Sequence, residues 1–198
     1  MEKEKFEHVY NYIIDNNIGN NNPYHNNEHL LFVYENSMML FDIYRKEYGL
    51  KSIDKNELGY AALFHDFNHS GGKLKDDENI DLAIKGFNEY VDKYNIDINT
   101  ENVSNIIKST EFPHVDMELN ILQKIIRDSD TIGGVSDKWF EIVNSLANEY
   151  NKTFLEFIPI QMGFLDSVKF NLSYSNDLLN KKRPIIKKEL LKLKEQLS

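Results

Sequence analysis

The stretch ALFHDFNHSGG, Ala62–Gly72, contains two histidines four residues apart and an aspartate directly after the first of them. An upstream stretch, NPYHNNEH at Asn22–His29, contains a second pair at the same spacing. Four of the six histidines in the chain therefore lie in two short segments. Side chains four residues apart share one face of a helix, so each pair is expected to point into one cavity. Imidazole and carboxylate groups together suit Zn²⁺, Fe²⁺ or Mn²⁺.

Helical periodicity dominates the sequence around these segments. Apolar residues recur with a period of about 3.6 in the first segment and again after His29. The second helix is expected to end near Gly49, and a third is expected to begin at Asp54, with Glu57 at the capping-box position. Further helices are expected at residues 78–94, 100–109, 118–128, 136–150 and 160–172, and after Pro184.

No alternating strand pattern stands out, so the chain is predicted to be one all-α domain over residues 1–198, a compact multi-helix bundle. The Asn-rich stretch at 16–22 and NKKRP at 180–184 are predicted to be loops, and Gly71 and Gly72 a turn. The basic NKKRP segment is interpreted as solvated chain rather than a phosphate site.

Composition narrows the classes of function. The chain has 198 residues, a formal net charge of −9 and no cysteine, so neither a disulfide framework nor a thiolate metal site is expected. The acidic balance argues against nucleic-acid binding, which needs a basic stripe. No apolar run approaches the roughly 18 residues of a membrane span, and the amphipathic start lacks the apolar core of a signal peptide. A cytoplasmic protein without membrane or nucleic-acid partners is expected; the oligomeric state is left open.

The HD dipeptide after the apolar segment GYAALF resembles the HD superfamily of metal-dependent phosphohydrolases, which are all-α proteins. In that superfamily an upstream histidine, the His-Asp pair and a distant aspartate converge on metal. The distant aspartate falls in IIRDSDTIGG, where Asp130 matches the family segment better than Asp128.

A narrower resemblance is to class I cyclic-nucleotide phosphodiesterases. The segments PYHNNEH, ALFHDFNHSGG, IIKSTEFPH, IIRDSDTIGGVSDKW and IPIQMGFLDSVKFNLSY are similar to that family's signatures, occur in its order and span most of residues 22–175. The chain is shorter than the family's catalytic domain, and the interval between His69 and Thr110 is compressed. Asn171 stands about where the family has a proline, and Glu78 is only a candidate to support a second metal.

The resemblance implies two divalent metals. His29, His65, Asp66 and Asp130 would bind the tighter one, a transition metal such as Zn²⁺, Fe²⁺ or Mn²⁺. Asp66 would bridge to a second ion, Mg²⁺ or Mn²⁺, held mostly by water, and His69 would be a catalytic residue in contact with this second site. A water between the metals would become the nucleophile.

The remaining implied roles concern the substrate, a small nucleotide. His25 would be the general acid that protonates the leaving O3′. The base would be bound by Gln161 and Phe164, with Thr110 and Phe112 lining the pocket. Opposite them, Ile142 or Val143 would form the other side of the base site. For Thr110 and Phe112, core packing is an equally good explanation. For Gln161 and Phe164, periodicity alone favours core packing, and only the resemblance favours a binding role.

The predicted function is hydrolysis of 3′,5′-cyclic nucleotides to 5′-monophosphates. Two alternatives stay open. One is hydrolysis of another nucleotide, by a 5′-nucleotidase or a hydrolase of cyclic oligonucleotide signals. The other is a non-catalytic module that senses a nucleotide.

Overall fold

A computed structural model describes residues 3–114 and 117–197 and confirms the all-α class. Within those residues no β-strand is present, and two 3₁₀ turns, Ile18–Asn21 and Ile132–Val135, accompany the α-helices. The α-helices are α1 Lys3–Asn16, α2 Asn27–Tyr48, α3 Ser52–Phe64, α4 Asp76–Tyr94, α5 Thr100–Lys108, α6 Ile121–Thr131, α7 Trp139–Glu149, α8 Phe154–Ser167 and α9 Ser173–Leu197.

The ends of α2 are fixed by residues suited to helix caps. The Asn26 side chain accepts hydrogen bonds from the amides of Glu28 and His29 and so begins the helix. Gly49 ends it, as predicted, in the left-handed region at φ 64°. Because the helix begins only at Asn27, the chain places His29 in its first turn and His25 in front of it.

The start of α3 differs from the prediction. The helix begins at Ser52, and Asp54 lies in its first turn, where the carboxylate accepts a hydrogen bond from the Lys51 amide at 2.6 Å. Glu57 is therefore not a capping residue. It is buried and accepts a hydrogen bond from the Asn102 side chain at 2.5 Å, which joins α3 to α5.

The last two helices also differ from the prediction. Helix α8 begins at Phe154, because Thr153 forms a capping box with Glu156, and it ends at Ser167 rather than near residue 172. The predicted loop at 180–184 is wrong, since this segment lies inside α9. Buried Leu179 and Ile186 continue one apolar face across the segment, and this packing outweighs the local preference of proline. At 16–22 the predicted loop contains the first 3₁₀ turn.

Two hydrophobic clusters make up the core. The larger one is built from α1–α6 and Leu172, and the smaller one from the second 3₁₀ turn, α7–α9 and Phe170. Phe32, on α2, packs against both clusters. Helix α2 packs against α3 and α6, which brings the first turn of α2 close to the last turns of the other two. The assignment of residues 1–198 to a single domain stays a prediction.

Across residues 3–114 and 117–197, no helix is both long enough and apolar enough to cross a membrane. The predicted cytoplasmic location is therefore still a prediction.

Candidate metal centre

Four side chains from three helix ends meet at one point. His29 comes from the first turn of α2, His65 and Asp66 from the end of α3, and Asp130 from the last turn of α6. One ligand atom of each residue lies within 4.8 Å of the others. These are the four residues predicted to bind the tighter metal, and the fold brings all of them together.

The distances between these atoms fit the edges of a coordination polyhedron. Asp66 Oδ2 lies 3.1 Å from both His29 Nε2 and His65 Nε2. Asp130 Oδ1 lies 3.2 Å and 3.5 Å from the same two nitrogens, which are 3.2 Å apart. Ligand atoms about 2.1 Å from one ion would be separated by about 3.0 Å at right angles and about 3.4 Å at tetrahedral angles. The four side chains therefore fit a metal ion.

His65 is held in the tautomer that a ligand needs. Its Nδ1 lies 2.9 Å from the Ala62 carbonyl oxygen, which can only accept, so Nδ1 donates and the Nε2 lone pair faces the cluster. Burial alone would lower the pKa of His65, but the Asp66 and Asp130 carboxylates hold it well above its ordinary value. The histidines in turn hold the pKa values of both carboxyl groups below their usual range despite burial. The cluster therefore favours a central positive charge.

The structure separates Asp128 from Asp130. Asp128 is 1% exposed and points away from the cluster. Its Oδ1 accepts hydrogen bonds from the Asn171 backbone and side chain, each at 2.8 Å, and its Oδ2 accepts from the Leu172 amide at 3.0 Å. Asp128 thus fastens α6 to the segment between α8 and α9, and Asp130 is the aspartate of this pair that lies in the four-residue cluster. The preference for Asp130 as a metal ligand stays a prediction.

His25 and His69, the members of the two predicted pairs that lie outside the four-residue cluster, occupy different positions from those that helical spacing suggests. His25 precedes α2 and His69 follows α3, so neither pair shares a helix face. The rings of His25 and His69 instead stack on each other, with centroids 3.7 Å apart. The premise of two helical faces is wrong, although all four histidines do face one site.

Glu149, at the end of α7, holds His25 in place, and no local sequence pattern predicts this contact. Its Oε2 accepts from the Tyr24 and His25 amides at 2.9 and 3.0 Å, and its Oε1 accepts from His25 Nδ1. Glu149 is buried, and these bonds overcome burial to lower the pKa of its carboxyl to about 2. His25, His69 and Glu149 have atoms close enough for a second metal. Because three hydrogen bonds already occupy the carboxylate, we interpret this group as a clamp on His25.

The clamp leaves His25 Nε2 free, 3.9 Å from Asp66 Oδ2. Burial opposes the charge of His25, but Asp66 and then Glu149 raise its pKa above the ordinary value. His69 behaves in the opposite way. Burial, followed by the charge of His25, lowers its pKa to about 4, and its Nδ1 accepts from the Gly71 amide at 3.1 Å. Both Gly71 and Gly72 have positive φ, in agreement with the predicted turn.

A cavity of about 620 Å³ opens over the cluster, and every residue predicted to bind substrate lines it. Gln161 is buried, and its Nε2 donates to the Gly134 carbonyl at 3.0 Å. The Phe164 ring packs on Gly134, where a Cβ would lie only 2.8 Å from the ring. The other predicted lining residues are Thr110, Phe112, Ile142 and Val143. Their binding roles stay predictions.

Glu78, the sequence candidate for supporting a second metal, does not line this cavity. It is exposed, and its carboxylate accepts a hydrogen bond from the Lys75 amide at the start of α4. The α4 residues that line the cavity are Asp76, Asn79 and Ile80. Asp76, whose pKa is raised by burial, is the α4 carboxylate that reaches the site.

Two solved structures, both structural-genomics targets, share this fold along nearly their whole length. A crystal structure of a Lactobacillus plantarum protein has a TM-score of 0.70 at 11% identity and covers 99% of this chain and 98% of that one. The Lin1889 protein of Listeria innocua has a TM-score of 0.64 at 20% identity, with coverage of 100% and 98%. No protein-family model matches the chain, and no curated protein matches it either. At these identities the likeness shows the fold alone, so the phosphohydrolase family stays a prediction from the motifs.

Proposed function

We propose that the protein is a metal-dependent phosphodiesterase that hydrolyses 3′,5′-cyclic nucleotides to 5′-monophosphates. The observation that carries this proposal is the arrangement of one four-residue metal-ligand cluster next to His25, whose free Nε2 lies 3.9 Å from the ligand Asp66. The cavity that His25, Asp66 and Asp130 line is also lined by an amide and an aromatic ring, those of Gln161 and Phe164. Two candidate metal ligands, the candidate general acid and the candidate site for the nucleotide base therefore line one cavity.

The ligand cluster fits a divalent ion by its donor atoms and their spacing. When bound, divalent ions would supply positive charge for the phosphodiester and lower the pKa of a nearby water. His29, His65, Asp66 and Asp130 would hold the tighter ion. Asp66 and Asp76 both line the cavity and carry one carboxylate each, so they are the groups available to support a second ion through water.

His25 would act on the leaving group. In the reaction, the oxygen of water joins phosphorus, the P–O3′ bond breaks, and O3′ must receive a proton. With Nδ1 donating to Glu149, the proton at His25 Nε2 is the one directed into the cavity. The raised pKa of His25 favours the protonated ring, which supports the role of a general acid.

His69 would play a different part from His25. Because its pKa is lowered and its Nδ1 accepts from Gly71, the ring is neutral and presents Nε2–H. Stacked on His25, the neutral ring orients the acid without competing for its proton. This asymmetry between two neighbouring histidines supports one acid and one positioning residue.

The base site would use the fixed amide of Gln161. Because Nε2 already donates to Gly134, Oε1 and one remaining N–H are available to a base edge. Phe164 would place its ring against the base.

The test is product analysis by liquid chromatography. Metal-depleted protein is incubated with 3′,5′-cyclic AMP or 3′,5′-cyclic GMP, with and without Mn²⁺ or Zn²⁺. The proposal expects 5′-monophosphate only in the samples with metal. If no metal supports turnover, the result would favour the alternative of a non-catalytic module that senses a nucleotide. Release of inorganic phosphate from 5′-monophosphates would instead indicate a nucleotidase.

A further inference from the structure

The opening of the cavity carries large apolar side chains that the proposed function does not use. Leu74, Phe112, Tyr150 and Ile160 line the cavity and are 42%, 53%, 48% and 48% exposed. Because they contact both the cavity and solvent, they lie at its opening, and together with Lys152 we call them the mouth. Single exposed apolar side chains are ordinary, but a group of them around one opening marks a binding surface.

The Tyr150 ring of the mouth contacts two neighbouring parts of the chain. It is roughly parallel to the Phe157 ring, with centroids 6.4 Å apart. On another side lies Gly72, at φ 75°, where a Cβ would come within 3.3 Å of the Tyr150 ring. A preordered ring with about half its surface exposed is suited to stacking a planar base at low entropic cost.

Lys152 is the only lysine or arginine among the residues that line the cavity in the described part of the chain. Its amide donates to the Ala147 carbonyl at 2.8 Å, which fixes the backbone between α7 and α8. No carboxylate of the described residues forms an ion pair with its ammonium group. The other charged side chains around the cavity are Asp66, Asp76 and Asp130 with the histidines. An anionic group bound outside the metal centre would therefore be attracted to Lys152.

One nucleotide does not account for the whole cavity. Its base would use Gln161 and Phe164, and its phosphate the metal centre, so the aromatic ring and the ammonium group of the mouth are left over. Resting on the proposed function, we propose that the substrate carries a second nucleotide unit, whose base stacks on Tyr150 and whose phosphate binds Lys152. The substrate class is a dinucleotide with phosphodiester links, either cyclic or linear.

The first test compares kcat/KM for four probes with the metal-loaded protein: cyclic di-AMP, cyclic di-GMP, and the 3′,5′-cyclic mononucleotides of the same bases. Because stacking of one base contributes a factor of about 5 to 100, the better dinucleotide should exceed its mononucleotide by about 10-fold or more. Linear pApA and pGpG distinguish a linear from a cyclic substrate. If the mononucleotides are hydrolysed as well as or better than the dinucleotides, the inference that a second nucleotide unit binds at the mouth is wrong. The proposed function is unaffected by that result. If no probe is hydrolysed, the proposed function itself fails.

The second test asks whether the residues of the mouth cause the preference for a dinucleotide over a mononucleotide. Lys152→Met removes the charge from an exposed side chain and should lower the dinucleotide-to-mononucleotide ratio of kcat/KM by about 3- to 10-fold, an effect weakened by added salt. Lys73→Met, at an exposed lysine that does not line the cavity, is the matched control and should leave the ratio unchanged. Tyr150→Ala should lower the same ratio by about 5- to 100-fold.

A binding measurement separates these effects from catalysis. Isothermal titration with a phosphorothioate analogue of cyclic di-AMP or cyclic di-GMP should give a Kd weakened about 3-fold or more by Lys152→Met and unchanged by Lys73→Met. A ratio and a Kd that are both unaffected by Lys152→Met and Tyr150→Ala would overturn the inference.

Discussion

His25 is the residue on which the proposed chemistry depends most closely. Glu149 anchors its Nδ1 and its backbone amide, so the ring has one orientation and one free nitrogen. We expect His25→Ala to retain the metal but to lower kcat by about 10²- to 10⁴-fold for a substrate that leaves through a sugar oxygen. A nitrophenyl phosphodiester needs no proton on its leaving group, so the decrease in kcat on that substrate should be smaller. Steady-state rates on both substrates check this, and equal losses would indicate a structural role or a metal ligand.

Glu149 should be visible in the pH dependence of the reaction. Its negative charge helps to raise the pKa of His25, so Glu149→Gln should lower that pKa. His25 would then lose its acidic proton at lower pH, and the alkaline limb of the kcat profile should move toward lower pH. A profile that keeps its position while kcat falls would contradict the electrostatic part of the account. Glu156→Gln, at an exposed glutamate that caps α8, is a suitable control.

Gln161 is the residue that should distinguish a purine substrate from a simple diester. One lost hydrogen bond in a buried pocket costs about 1–3 kcal/mol, so Gln161→Ala should lower kcat/KM for a purine nucleotide about 10- to 100-fold. The effect on a nitrophenyl phosphodiester should be much smaller. Because Gln161 also donates to Gly134, melting curves must accompany the kinetics. Unchanged hydrolysis of purine nucleotides by this variant would remove the base site from the proposal.

At the scale of the elements, Asp128 acts as a fastener between α6 and the chain that leads into α9. Its truncation leaves the Asn171 and Leu172 amides without their acceptor. Asp128→Ala should lower the free energy of unfolding by about 2–4 kcal/mol, with metal content unchanged. The exposed Asp42, which forms an ion pair with Lys55, is the matched control, and Asp42→Ala should cost about 1 kcal/mol or less. Loss of metal from folded Asp128→Ala would contradict this division of roles.

The elements also show what could be predicted from the sequence. Periodicity and Gly49 predicted the body and the end of α2, and the resemblance of short motifs to a known family predicted the four residues that meet in the cluster, because each of these signals lies within a short segment. Glu149 could not be predicted, since in SLANEY it looks like any helical surface glutamate and meets His25 only after packing. The prediction of a loop at NKKRP is wrong because α9 is stabilised by packing against helices that are distant in sequence, which the local composition does not show.

Over the whole molecule, a net charge of −9 would repel an anionic substrate, so the proposed function needs a local source of positive charge at the site. A divalent ion held by the cluster would concentrate positive charge at the start of α2 and the ends of α3 and α6, and Lys152 adds one positive charge at the opening. Because the ion would bind the folded chain only, it should also stabilise it, by about 2.7 kcal/mol at a free concentration 100 times its Kd. The metal centre would thus belong to the stability of the fold as well as to the reaction.

The central claim is that metal held by these four residues is required for phosphodiester hydrolysis. The most direct measurement is the rate of nucleotide phosphodiester hydrolysis by metal-depleted protein as Mn²⁺ is added, for the parent and for Asp130→Ala. The account predicts a saturable rise in rate for the parent, and little or none for Asp130→Ala at the same metal concentrations. Full activity of the parent without metal, or a parent-like curve for Asp130→Ala, would contradict it.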